Sequence, residues 1–379
     1  MSPTAMISAV LGAMLVAAIL WDAFETILVP RRIGRRVRIT RYFYLFTWQA
    51  WRAMALRVRK PSRREAFLGF YGPLSLIVLL ACWAFGLIVA FAMLQLAAEH
   101  VVRLTPHRAL MMLYMSGETF FTLGFGDITP ATGVGRVLSV LEAGMGFGFL
   151  GTVVGYLPTI YSAFSLREVQ ISMLDARAGS PPTAAEFLRR LPADGTDRAS
   201  DELLRDWEQW SAQLLETHIS YPLLAYYRSQ HGNQSWLAAL TAILDSTALM
   251  LAGVDAVPSR QAKLTFAMSR HALVDLVQIF RVSHRAGRAD RLPPDVLGAL
   301  RARLEGSPMH LPVDAATTEK LAALRLMYEP YAQALADHLV LDLPPWVHAE
   351  PKRDNWRGGP WDRQLAVRAA TDHSIDDHF

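Results

Sequence analysis

The chain has 379 residues, 52% of them hydrophobic, a formal net charge of +4 and a mean hydropathy of +0.20. It is too apolar for a wholly soluble protein and its charge too modest for a polyanion binder, so a membrane part joined to a polar part is expected and nucleic acid is not a partner. The single cysteine, Cys82, lies in an apolar stretch and leaves neither an intrachain disulfide nor a cysteine-based metal site.

Residues 5–29 form the first apolar segment, about 37 Å long as a helix and thus longer than a bilayer core requires. It is read as a membrane span and not as a signal peptide, because no positive residue precedes it, no small-residue cleavage site follows and the arginines come after it. Asp22 and Glu25 near its end are expected to pair with Arg31 or Arg32.

A basic stretch follows, from Arg31 to Arg41, and a second group comprises Arg57, Arg59, Lys60, Arg63 and Arg64. Positive charge marks the cytoplasmic side of a membrane. The expected topology therefore has the amino terminus outside and the long carboxy-terminal region inside. Arg32, Arg35, Arg38 and Arg41 recur every third residue, as in voltage-sensing helices. A sensor needs an apolar helix around its arginines, whereas Gly34 and Arg36 interrupt this one, so topogenic or lipid-headgroup contact is the preferred reading. The aromatic segment 42–58, flanked by arginines, is expected as a helix lying in the inner interface.

Residues 66–98 and 134–164 are the second and third spans, and between them lies the stretch 110–130, LMMLYMSGETFFTLGFGDITP. Its core is Thr122-Leu123-Gly124-Phe125-Gly126-Asp127. Glycines tolerate backbone angles that other residues resist, so such a run can stay extended with its carbonyls turned to one side. No amphipathic helix follows the glycines as a nucleotide-binding turn would require.

This stretch resembles the pore helix, filter and outer mouth of the potassium-channel family, in unbroken order between two membrane helices. The resemblance covers about residues 68–164. It implies that K⁺ is bound by the backbone carbonyls of Thr122, Leu123, Gly124 and Phe125, with Gly126 completing the filter and the Thr122 hydroxyl contributing. It implies also that Glu118 and Asp127 support the filter from behind, sharing a proton if they meet; local backbone or water is the alternative partner for Glu118. The family often has tyrosine where Phe125 stands and a tryptophan pair where Tyr114 and Met115 stand. The missing donors bear on filter stiffness and on the rejection of Na⁺.

The third span carries Gly144, Gly146, Gly148, Gly151, Gly155 and Pro158. On the family register Gly146 is the hinge glycine, so bending is expected at Gly146 and Pro158 and close helix packing at the other glycines. Glu142, deep in this span, is expected either to face the pore helix or to be protonated. One filter motif per chain implies a symmetric homotetramer.

Beyond residue 165, segments 199–218, 234–251, 260–283, 294–304 and 315–341 have helical apolar spacing. They predict a helical bundle without a Rossmann-type turn or a cyclic-nucleotide-binding roll. His218, Tyr221, Tyr226, Tyr227 and His231 fall in a dense polar and aromatic cluster, read as packing in preference to a ligand pocket. His271, His284 and His310 lack metal-ligand spacing.

The expected fold class is an all-α integral membrane protein with three transmembrane helices, a re-entrant pore helix and filter, and a cytoplasmic helical domain. Its parts are residues 1–65, an amino-terminal span and basic interfacial segment; 66–164, the pore module; 165–343, the helical domain; and 344–379, a flexible tail. The expected function is K⁺-selective conduction in a bacterial inner (plasma) membrane, without enzymatic activity or a cofactor beyond the K⁺ ions. Lipids and an unidentified cytoplasmic ligand are the further expected partners. A weakly selective cation channel and a membrane-anchored signalling or binding module are the alternatives.

Overall fold

The structure, a computed structural model, describes residues 3–27, 29, 38–99, 106–191, 197–230, 234–253, 259–283, 289–305 and 311–348. Among them every regular element is helical. Two compact units are present, Met1–Ser165 with Thr217–Arg228, and Leu166–Glu216 with Ser229–Phe379. The tail expected to be flexible lies outside the described residues from position 349 onward, as do Arg31, Arg32 and Arg35.

The first unit holds α1 (Pro3–Ile27), α2 (Ile39–Leu56), α3 (Pro61–Gly69), α4 (Tyr71–Ala98), α5 (Pro106–Phe120) and the first part of α6 (Gly133–Ala178). The helices α1, α4 and α6 are each long and apolar enough to cross a membrane. Small residues let α1 and α4 approach closely. A Cβ on Gly12 would stand 2.8 Å from the Ala90 carbonyl oxygen, and one on Gly86 would stand 2.5 Å from Ile19 Cδ1. Ser8 Oγ adds a 2.9 Å hydrogen bond to the Met93 carbonyl.

The acidic pair at the end of α1, whose expected partners Arg31 and Arg32 lie outside the described residues, is held by residues inside them. Glu25 accepts from Trp21 Nε1 at 2.8 Å and lies 3.5 Å from Arg38. Asp22, 4% exposed, accepts from the Thr40 backbone N–H at 3.1 Å, the Thr40 hydroxyl at 2.5 Å and Trp83 Nε1 at 3.1 Å. Arg38 at the start of α2 offers no capping side chain, so a carboxylate from another helix satisfies that terminus instead. Replacing Asp22→Ala removes this cap and leaves the Trp83 indole unpaired. A loss of about 2 kcal/mol is expected, read as a lower midpoint of thermal unfolding in detergent.

The helix α2 buries Trp48 and Ala55 and exposes Tyr42, Leu45, Phe46 and Leu56. Its inner face meets a segment from much later in the chain. Thr217–Arg228, which ends in a 3₁₀ turn over Pro222–Tyr226, is part of this first unit. The Tyr226 ring lies 4.9 Å from Trp48, 5.3 Å from Tyr71 and 5.9 Å from Tyr44, while Tyr227 meets Phe164 at 5.6 Å and Tyr221 meets Tyr156 at 5.8 Å. Gly72 is required there, since a Cβ would approach Tyr227 Cδ2 to 2.6 Å. The tyrosine cluster is therefore a packing surface on α2, α4 and α6.

In the second unit, α9 (Trp236–Gly253) is the centre, with every residue but Leu251 and Gly253 buried. Around it lie α7 (Ala184–Arg189), most of α8 (Asp197–Ser220), α10 (Ser259–Phe280), α11 (Pro294–Leu304), α12 (Ala315–Leu326) and α13 (Glu329–Leu339). The expected single helix over 315–341 is two, because Tyr328 turns inward to donate to Asp245 at 2.5 Å and Pro330 follows at the start of α13. Arg291 joins Asp245 at 2.7 Å and Glu329 at 2.9 Å, and Trp346 lies 5.6 Å from the Arg291 and 5.5 Å from the Arg325 guanidinium carbon. Burial alone would lower the Arg291 guanidinium, but the Asp245 and Glu329 carboxylates outweigh it and hold it above its ordinary value. Burial, then the nearby Asp245 carboxylate, raises the Tyr328 phenol well above the usual tyrosine range.

Candidate functional site

The α5 helix ends where its sequence turns to glycine. Phe121 N donates to Gly117 O at 3.0 Å, Thr122 N to Thr119 O at 3.0 Å and Leu123 N to Glu118 O at 2.8 Å, after which the chain is extended. Positive φ falls on alternate residues, 55° at Thr122, 66° at Gly124 and 77° at Gly126. In an ordinary strand successive carbonyls point to opposite sides; reversing the hand of every second residue turns them toward the same side. A Cβ on Gly124 or Gly126 would meet nothing within 4 Å, so backbone conformation and not crowding demands glycine at both. Thr122, a β-branched residue in the left-handed region, is a true outlier and stores about 1–3 kcal/mol of strain.

In the single chain this segment is bare. Phe121, Leu123 and Phe125 are exposed by 59%, 58% and 68%, so three apolar side chains beside a row of carbonyls lack any covering wall.

Of the residues expected behind the filter, the structure joins Asp127 to Tyr114, whose hydroxyl donates to Asp127 Oδ1 at 3.5 Å. Glu118 is 7% exposed and its Oε2 has no hydrogen-bond partner among the described residues; no hydrogen bond joins it to Asp127 there. Tyr114 thus aims a donor at the filter aspartate from the position where the resembling family has a tryptophan. At 3.5 Å the bond is weak. Tyr114→Phe is expected to lower the midpoint of thermal unfolding in detergent by the equivalent of no more than about 1 kcal/mol, as the loss of one weak bond.

Three ties that the sequence did not disclose hold α5 and the segment that joins it to α6. Ser116, fully buried, lies 2.7 Å from the Ile88 carbonyl of α4 and also hydrogen-bonds Glu142 of α6, so one hydroxyl links three helices. Glu142 therefore faces the pore helix. At the carboxy-terminal end of α4 Glu99 accepts from Ala131 N at 3.0 Å and Thr132 N at 3.2 Å, while Gln95 donates to Gly135 O at 3.1 Å. A Cβ on Gly135 would lie 2.8 Å from Glu99 Oε1, which accounts for that glycine. The third tie is Gly146, where a Cβ would fall 1.9 Å from the Phe120 carbonyl oxygen. Gly144, Gly148, Gly151 and Gly155 have open space within 4 Å in the single chain.

The inner helix α6 runs unbroken from Gly133 to Ala178 with Pro158 inside it. Proline at this position cannot donate to the Val154 carbonyl, and Thr159 Oγ1 bonds the Gly155 carbonyl at 3.0 Å, a pattern that bends helices. Among the described residues no group of three or more His, Cys, Asp and Glu side chains is placed to hold a metal ion.

Residues 75–162 match the family described as "Ion channel". A curated relative, described as the uncharacterized membrane protein YdjJ of Bacillus subtilis (strain 168), is 23% identical over an alignment of 222 residues that covers 55% of this chain. The aligned stretch spans 59% of the relative's length. No solved structure matches the chain.

Proposed function

We propose that the protein, whose residues 75–162 match an ion-channel family, is a K⁺-selective channel assembled from four copies around the Thr122–Gly126 segment. The single observation carrying this reading is the positive φ on alternate residues 122, 124 and 126, which suits stacked rings of carbonyls. In it the carbonyls of Thr122, Leu123, Gly124 and Phe125 replace the hydration shell of K⁺, with the Thr122 hydroxyl completing the inner end. Asp127, Tyr114 and Glu118 brace the filter from behind, and the exposed Leu123 and Phe125 pack into the assembled wall.

The gate lies on α6, with Gly146 and Pro158 as its bending points, and the helical unit controls it through a cytoplasmic ligand. Support for such control comes from Thr217–Arg228: a segment adjoining α8 packs Tyr221 on Tyr156 and Tyr227 on Phe164, both residues of α6. The protein then sits in the bacterial plasma membrane, amino terminus outside and carboxy terminus inside.

A weakly selective cation channel is the second reading, favoured by Phe125, which has no hydroxyl to fasten the filter, and by the long Tyr114–Asp127 bond. Purified protein in liposomes decides between them. K⁺ flux well above Na⁺ flux supports the selective channel, equal fluxes support the second reading, and crosslinking that stops at dimers refutes the tetramer.

A further inference from the structure

The corner between α2 and α3 concentrates charge that the pore does not use. Arg57, Arg59, Lys60, Arg63 and Arg64 fall within eight residues; all but the half-buried Arg64 are exposed. None pairs with a carboxylate among the described residues, although other cations of the same unit are taken up: Arg38 by Glu25, and Arg228 by Glu65 at 3.4 Å. The one acid next to the cluster is thus already engaged.

The corner is also held in shape. Trp51 Nε1 donates to the Phe67 carbonyl at 3.2 Å and its ring stacks on Phe67 at 4.4 Å, fastening α2 to α3. From the cations an apolar stripe runs into the membrane span: Phe70, Leu74 and Ile77, spaced four and three residues apart, are exposed by 69%, 43% and 60%. Phosphate-sized anions suit the cations and an acyl chain suits the stripe, and the two surfaces are continuous.

We infer that this corner is a binding site for anionic phospholipid headgroups, with the lipid chain lying along Phe70, Leu74 and Ile77. A cluster of free cations immediately beside a membrane span attracts acidic lipids and loses them as salt rises. A purely topogenic cluster would have no need of a fastened corner. The inference rests on the membrane reading of α4 and is independent of K⁺ selectivity.

The test uses the full chain in detergent, offered equal phosphatidylglycerol and phosphatidylcholine, with retained lipids counted by native mass spectrometry. Wild type is expected to retain phosphatidylglycerol in about tenfold preference. The protein carrying Arg57→Gln, Arg59→Gln, Lys60→Gln, Arg63→Gln and Arg64→Gln is expected to retain both about equally. Circular dichroism and elution volume confirm its fold; if it fails to assemble, the triple substitution at 57, 59 and 60 takes its place and is expected to lose most of the preference. Equal retention by wild type, or an unchanged preference in the variants, overturns the site. Displacement of the lipid by millimolar inorganic phosphate would identify a free-anion site and overturn it equally. No ion gradient enters the measurement, so an absence of K⁺ flux would bear on the channel reading alone.

Discussion

Gly124→Ala is expected to abolish K⁺ flux, by more than a hundredfold, while the protein still inserts and purifies. The residue stands at φ 66° with nothing within 4 Å of the added Cβ, so the alanine fits in space and fails in backbone angle. An L-residue in the left-handed region costs roughly 1 kcal/mol. That is small beside the stability of the fold, but in the proposed tetramer a ring of four such positions would multiply it at the proposed ion-coordinating segment. Restoring an ordinary angle swings a carbonyl out of line and removes one layer of oxygens. Liposome flux of the variant beside wild type checks this, and the reading fails if the current survives. Gly126→Ala, at φ 77°, is expected to behave alike.

Gly146→Ala is the second large effect, and its cause is different. Here the helix angle is ordinary and space is lacking, for the new methyl would stand 1.9 Å from a backbone oxygen at the end of the pore helix. A backbone atom cannot rotate away, so either α6 shifts or the Phe120 peptide does, and both movements displace the filter that begins two residues later. Overpacking of this kind costs about 1–3 kcal/mol, and the expected readout is loss of both conduction and the assembled oligomer on size-exclusion chromatography. Gly155→Ala, which meets open space within the chain, is the comparison and is expected to keep assembly. Equal behaviour of the two variants would overturn the contact and leave bending as the only proposed role of Gly146.

Much of the architecture was legible because membrane helices and filters carry local signals. Apolar stretches longer than a bilayer core announced α1, α4 and α6, and helical spacing announced most helices of the second unit. The glycine spacing at 124 and 126 marked the segment that adopts positive φ. What escaped were partners brought together from distant positions. Asp22 is bonded by Thr40 and Trp83, 18 and 61 residues away, which no local pattern discloses. Ser116 looked like any small pore-helix residue, and only the packing of three helices shows why a hydroxyl is placed there. The tyrosines after α8 were legible as packing residues, but their seat on α2, α4 and α6 was not, since nothing in a periodic pattern says which surface an aromatic cluster will cover. The break at Tyr328 was missed for the same reason, being set by Asp245 on another helix.

The central helix of the second unit has a consequence for biogenesis. By length and composition α9 is apolar enough to be mistaken for a membrane span, because a helix surrounded on all sides by protein needs the same residues as one surrounded by lipid. Asp245 near its middle distinguishes the two fates. In the bundle it is answered by Arg291 and Tyr328, whereas in a nascent helix entering the bilayer it would cost about 2.5–3.5 kcal/mol with neither partner yet synthesised. The residue that anchors the folded bundle therefore also discourages the insertion machinery from threading a surplus span, and with it the inversion of everything that follows.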